Sequence, residues 1–173
     1  MSHVLVAVAP RAPAAEPPIM AVTIKRVMLW QTEIRNEPGA LSAVLEPLAQ
    51  AGLDLHAVMK RCIPGAGERA TVEILPGSGR RATALARAAG FSQSPTEVLL
   101  VEGINRPGLA YAVANSIAWA GISLRFLSAQ IAGEQYSARL GFRTPAERRK
   151  GASLIRRVAN DAETVVSGEA APQ

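Results

Sequence analysis

Three stretches of the chain alternate apolar and polar side chains with a period of two, as half-buried strands do. In Val27–Arg35, Met28, Trp30, Thr32 and Ile34 fall on one face, and Leu29, Gln31 and Glu33 on the other. In Arg69–Leu75, Ala70, Val72 and Ile74 point inward and Arg69, Thr71 and Glu73 outward. In Gln135–Arg143, Tyr136, Ala138, Leu140 and Phe142 alternate with polar or small neighbours. Elsewhere apolar residues recur at helical spacing. Leu41, Val44, Leu45 and Leu48 share one face of a helix predicted from about Gly39 to Ala51, kinked at Pro47 and stopped by Gly52. Arg80–Ala89 is a second helix, ended by Gly90, and Gly108–Ala120 a third, with Ala110, Val113, Ala114 and Ile117 on its inner face. The fourth starts at Thr144-Pro145-Ala146-Glu147, which supplies an N-cap Thr, a Pro at the first helical position and a Glu three residues after the cap. It runs to about Ala162 and buries Leu154, Ile155 and Val158.

Leu53–Cys62, Phe91–Ser94, Thr96–Gly103 and Ile122–Ala132 complete the strands, with a last one expected near Glu163–Ser167. Turns fall at Pro64-Gly65-Ala66-Gly67, Pro76-Gly77-Ser78-Gly79 and Gly133-Glu134. The order β-α-β-β-α-β is therefore written twice. With right-handed crossovers it gives an antiparallel sheet with helices on one face, so the expected class is α+β, two ferredoxin-like βαββαβ units. The expected division is a disordered leader over 1–25, units over 26–94 and 95–167, and a tail over 168–173. Arg11–Pro18 is rich in Pro and Ala, Val4–Val8 is too short for a secretory core, and Met20 is a candidate start.

The two units share sequence. Asn36-Glu37-Pro38-Gly39 returns as Asn105-Arg106-Pro107-Gly108, an offset of 105 − 36 = 69 residues, and Ala51-Gly52 returns as Ala120-Gly121. Asn, Pro and Gly matching in register with a distant Gly mark a duplication.

Composition narrows the function classes. The net charge is +5, which permits an acidic partner, but the basic residues are scattered and aromatics make up only 4%, against a nucleic-acid surface with stacking aromatics. No apolar run approaches the ~20 residues of a membrane helix. The single cysteine, Cys62, excludes an internal disulfide and fits a reducing, cytoplasmic setting. No His/Cys/Asp cluster has metal spacing, no Ser sits in a nucleophile elbow, and His56 stands alone on a strand, so neither enzyme activity nor a cofactor is expected. Arg80, Arg81, Arg148, Arg149, Lys150, Arg156 and Arg157 read as solvated faces of the second helix of each unit.

The repeated turn has chemistry of its own. It delivers the chain into a helix whose first N–H groups lack internal partners and carry the positive end of the dipole, which suits a carboxylate. Asn adds a donor and an acceptor beside them. The alternative is a plain connector in which Asn caps the helix. The stretches Asn36-Glu37-Pro38-Gly39-Ala40-Leu41 with Ala51-Gly52-Leu53-Asp54-Leu55, and Asn105-Arg106-Pro107-Gly108-Leu109 with Ala120-Gly121-Ile122-Ser123-Leu124, resemble the ACT domain, the small ligand-binding regulatory module of amino-acid metabolism. The resemblance covers about residues 27–162. It implies domains paired side by side into a continuous sheet, with an amino acid or related metabolite held at the domain or dimer interface against the turn. By position, Asn36 and Asn105 would touch the ligand, with N–H groups from Gly39, Ala40, Gly108 and Leu109, and with Asp54 and Ser123 at a further contact position. Serine-binding members carry a His two residues before the Asn. Here Ile34 and Gly103 stand there, which favours a more apolar ligand. Arg106 and Ser123 make the second copy unlike the first. The implied partners are a second copy of the chain and a separate regulated enzyme. Docking to a partner protein without ligand, and RNA binding on the open sheet, are the competing readings.

Overall fold

The computed structural model describes residues 22–63 and 68–167, with side chains through Ala159. The expected leader, the turn over 64–67 and the tail lie outside these residues, except that residues 22–25 of the leader are described. Thr23–Val27 forms a strand, β1. It is followed by β2 (Trp30–Arg35), α1 (Ala40–Gln50), β3 (Leu55–Cys62), β4 (Arg69–Pro76), α2 (Arg80–Ala88) and β5 (Ser92–Gln93). The second half runs β6 (Glu97–Ile104), α3 (Leu109–Trp119), β7 (Phe126–Ala132), β8 (Gln135–Phe142) and α4 (Pro145–Ser167). Two four-stranded antiparallel sheets result, ordered β3-β4-β2-β5 and β1-β6-β8-β7.

The two halves are interlaced. The expected first strand is two strands in different sheets: β1 pairs antiparallel with β6, Thr23 opposite Glu102 and Val27 opposite Val98, while β2 pairs with β4 and β5. Met28 and Leu29 make the crossing. The expected strand at Glu163–Ser167 is instead the end of the long helix α4, and β1 occupies the outer position that strand would have filled. An ion-paired triad fixes this exchange. Glu97 on β6 accepts from Arg148 on α4 at 2.8 Å and from Arg26 on β1 at 3.3 Å. Arg148 is therefore not a solvated residue, and Lys150 donates to the Ala120 carbonyl at the end of α3 at 3.0 Å.

Each sheet buries one face beneath its helices. Trp30, Val72 and Ile74 pack with Leu48 of α1 and Ala86 of α2. Leu99, Val101 and Leu140 pack with Val113 and Ile117 of α3 and Ile155 of α4. Pro47 lies within an uninterrupted α1. On α3 the buried stripe is Leu109, Val113 and Ile117, leaving Ala110 and Ala114 exposed. The capping box of α4 forms as expected. Glu147 N donates to Thr144 Oγ1 at 3.1 Å, and Glu147 Oε2 accepts from Thr144 N at 3.3 Å.

The sheets do not join edge to edge within the chain. They meet on the faces turned away from the helices, around Leu29, Leu75 and Val98, with Val27, Ala57, Met59 and Phe126 packed alongside. This contact explains two departures from the alternation. Leu29 is fully buried although its parity placed it outward, and Glu73, expected in solvent, is 1% exposed. Burial of a carboxylate requires partners. Glu73 has Arg61, on the neighbouring strand, and the Ser94 hydroxyl at 2.9 Å. Arg61 in turn lies 5.3 Å from the Phe126 ring centroid. On the other side of the contact, buried Arg139 donates through Nη2 to the carbonyl of His56 at 3.0 Å.

Candidate functional site

Both Asn-x-Pro-Gly turns adopt the same conformation. Gly39 and Gly108 stand at the N-caps of α1 and α3 with φ of 86° and 79°, a left-handed geometry in which a side chain is strained. The backbone N–H of each Asn is fixed by the hairpin opposite: Asn36 N donates to the Glu68 carbonyl, and Asn105 N to that of Glu134, both at 2.6 Å. Neither helix has a side-chain cap, so the capping role weighed for Asn is not what the turn uses. The Ala40 and Leu109 N–H groups reach back to the carbonyls of Glu37 and Arg106 at 3.3 Å, long contacts within the turn itself.

The surroundings of the two copies differ. Asn36, Glu37, Pro38 and Gly39 are exposed, whereas Asn105 and Arg106 are half-buried. Asn105 lines a small apolar cavity of about 60 Å³ between α3 and the outer strand β7. Leu109, Val113, Leu127, Ile131 and Tyr136 are among the residues that complete its wall. Leu127 and Ile131 lie on β7, an edge strand paired to β8 on one side and to no strand among the described residues on the other, and both are exposed. Arg106 is turned from this cavity toward α4, donating to the Val158 carbonyl at 2.8 Å. Burial raises the Tyr136 pKa above 10.0, with the nearby Arg106 charge pulling weakly the other way. Gly103, at the position two before Asn105, gives that ring its place, because a Cβ there would sit 3.2 Å from Tyr136 Cε1. Ile34, its counterpart, packs partly buried against the first core.

Asp54 and Ser123 lie at the far ends of the helices from the Asn residues. Each helix has 11 residues, so at 1.5 Å per residue they are about 16 Å from the turns along the axis. Asp54 Oδ2 is 3.3 Å from His56 Nε2, and its carbonyl accepts from Gly77 N at 2.9 Å. Within one unit, therefore, the fold does not bring the two halves of the expected site together. Tyr136, Leu127 and Ile131 were not singled out from sequence. Their signal was the alternation of β7 and β8, which identifies a face but not the gap beside an unpaired edge.

No protein-family model matches the chain, and no curated protein does. Solved structures do. The regulatory subunit of aspartate kinase from Thermus thermophilus, in its ligand-free form, superposes with a TM-score of 0.54 at 13% identity over 83% of this chain and 98% of that one. The chain has a tandem ACT-type fold. Protein BT0572 of Bacteroides thetaiotaomicron matches with a TM-score of 0.61 at 16% identity, covering 78% of this chain and 89% of that one. The regulatory subunit of aspartate kinase from Thermus flavus gives 0.52 at 16% identity over 84% and 98%. Among the described residues no group of His, Cys, Asp and Glu could hold a metal ion, and no helix is long and apolar enough to cross a membrane.

Proposed function

We propose that this tandem ACT-type chain is a regulatory binder of an amino acid or related small metabolite, held against the Asn105 turn. The observation that carries the reading is the uncommitted Asn105 side chain, which has no hydrogen-bond partner among the described residues and borders an apolar cavity at the start of α3. A ligand carboxylate would lie at the α3 N-terminus, displacing the long Leu109 contact, with the Asn105 amide on its polar groups and its side chain toward Leu127 and Ile131. That placement favours an aliphatic side chain. The unpaired edge of β7 suits a second copy, which would also bring the distant Ser123 or Asp54 of one unit to the Asn of another. Regulatory subunits among the similar structures support a separate enzyme as the regulated partner and a non-catalytic role. A cytoplasmic location follows from this reading.

The experiment is a thermal-shift screen over the twenty amino acids, followed by calorimetry. An aliphatic amino acid is expected to raise the midpoint, and Asn105→Ala to weaken binding by about tenfold, the cost of one hydrogen bond to a charged group. Asn36→Ala, at the exposed copy, is expected to matter less. No shift with any amino acid at millimolar concentration would overturn the proposal.

One observation favours a second reading, docking of a partner protein. Trp119 and Tyr111 on α3 are 85% and 74% exposed. Capture of one partner regardless of ligand, lost in Trp119→Ala, would select it.

A further inference from the structure

A separate cleft opens between the two sheets, lined by no residue of either Asn-x-Pro-Gly turn. Its volume is about 370 Å³, room for a small metabolite. Its floor is the helix-free face of the first sheet, where Gln31, Thr71 and Glu73 come from β2 and β4. Its other wall comes from the second half of the chain, Thr96 and Arg125, which precede β6 and β7. Arg61 stands at the boundary, over the Phe126 ring.

The charges in this cleft do not balance. Glu73 is buried and already satisfied by Arg61 and the Ser94 hydroxyl. Arg61 therefore contributes a neutralised pair, with further guanidinium N–H groups available because only Nη2 contacts Glu73. Arg125 has no ion-pair or side-chain hydrogen-bond partner among the described residues, so the cleft carries a net positive charge. Its backbone is fixed, since Arg125 N donates to the Gly141 carbonyl at 2.8 Å. An excess guanidinium in a partly walled cleft, beside neutral hydroxyl and amide groups, suits a small anion whose oxygens meet its fork in pairs, as the two of a carboxylate do. We infer that this inter-sheet cleft is a second ligand site, taking a small carboxylate metabolite on Arg125 and Arg61. Because its walls come from both halves of the chain, a ligand here would bind only while the halves are docked. It would thus stabilise the docked arrangement by mass action.

The sole cysteine provides the readout, because exposed Cys62 lines the same cleft. The full-length chain is labelled with a neutral maleimide, without and with succinate at about 10 mM, a level that fills most of a millimolar site. Succinate is expected to slow labelling of the native protein several-fold. Arg125→Gln should label at the unprotected rate in both conditions, while unfolding at the same urea concentration as the parent. Inorganic phosphate at equal ionic strength is the second arm. Protection by phosphate equal to that by succinate, or protection that persists in Arg125→Gln, would overturn the carboxylate site, as would no protection at all. Asn36→Ala with Asn105→Ala should leave succinate protection unchanged, so this site and the turn site fail independently.

Discussion

Gly141→Ala tests whether the docking of the two sheets depends on one missing Cβ. Gly141 lies opposite Phe126 in the β7–β8 ladder. A Cβ at residue 141 would fall well inside contact distance of the Phe126 ring and 3.0 Å from Thr96 Cγ2. The ring cannot swing freely, since it packs against the inter-sheet cluster on one side and beneath Arg61 on the other. Overpacking of this kind costs about 1–3 kcal/mol. Replacing a strand glycine recovers about 0.5–1 kcal/mol by restricting the unfolded chain. The net expectation is a destabilisation of about 0.5–2 kcal/mol, and about 2–4 °C in melting temperature for each kcal/mol in a chain of this size. Urea unfolding followed by circular dichroism measures it. Phe126→Leu shortens the obstructing ring, so in the double variant Gly141→Ala should cost less, with a coupling of at least about 0.5 kcal/mol. Gly141→Ala as stable as the parent, or costs that simply add, would refute the packing argument.

Starting the chain at Met28 removes β1 together with Ile24 and Val27, uncovering the β6 edge and the apolar groups those two side chains pack against; a loss of about 2–4 kcal/mol in urea unfolding is expected, and an unchanged midpoint would show that the strand exchange is not structural. Thr144→Ala removes the cap of α4 and should cost about 1 kcal/mol, which thermal melts would register. Tyr136 has its pKa raised by burial. Its folded phenol keeps its proton to higher pH than the unfolded one, so its contribution is constant below pH 10 and declines as pH rises from there through the folded value. Phenolate absorbance in Tyr111→Phe, where Tyr136 is the remaining tyrosine, should therefore titrate late; adding Tyr136→Phe should remove part of the stability loss at high pH.

The element types, the duplication and the two helix-facing cores were legible because they depend on local periodicity. Trp30, Val72 and Ile74 on one side and Leu140 and Phe142 on the other are buried where alternation placed them. Sheet membership was not legible. Val27-Met28-Leu29-Trp30 is a continuous apolar run, so parity cannot report that the chain leaves one sheet and enters another. The repeated β-α-β-β-α-β order calls for a closing strand near Glu163–Ser167. The position was already filled from the other end of the chain, and the segment continues as helix. Glu73 and Leu29 were misplaced for one reason: each lies on a face that is open in a single unit and closed only by the other. The turns were legible as turns, but not the committed state of their donors or the half-burial of Asn105, which depend on α4 and β7.

The interlaced strand also bears on how the proposed regulation would work. If two units were joined by a loose linker, occupancy at one would not affect the other. Here β1 is hydrogen-bonded into the sheet that carries Asn105, and Met28-Leu29 alone separates it from β2, which leads directly into the Asn36 turn. Opening the second sheet removes Val98 and Val27 from the inter-sheet cluster and withdraws the Phe126 ring from Arg61, whose pair is the buried Glu73 of the first sheet. A ligand that favours the closed second sheet would stabilise these groups by the same free energy. The coupling needs no large movement. It requires only that the buried carboxylate and the exchanged strand be worse placed when the sheets separate, which Gly141→Ala and the deletion of β1 probe from opposite sides of the contact.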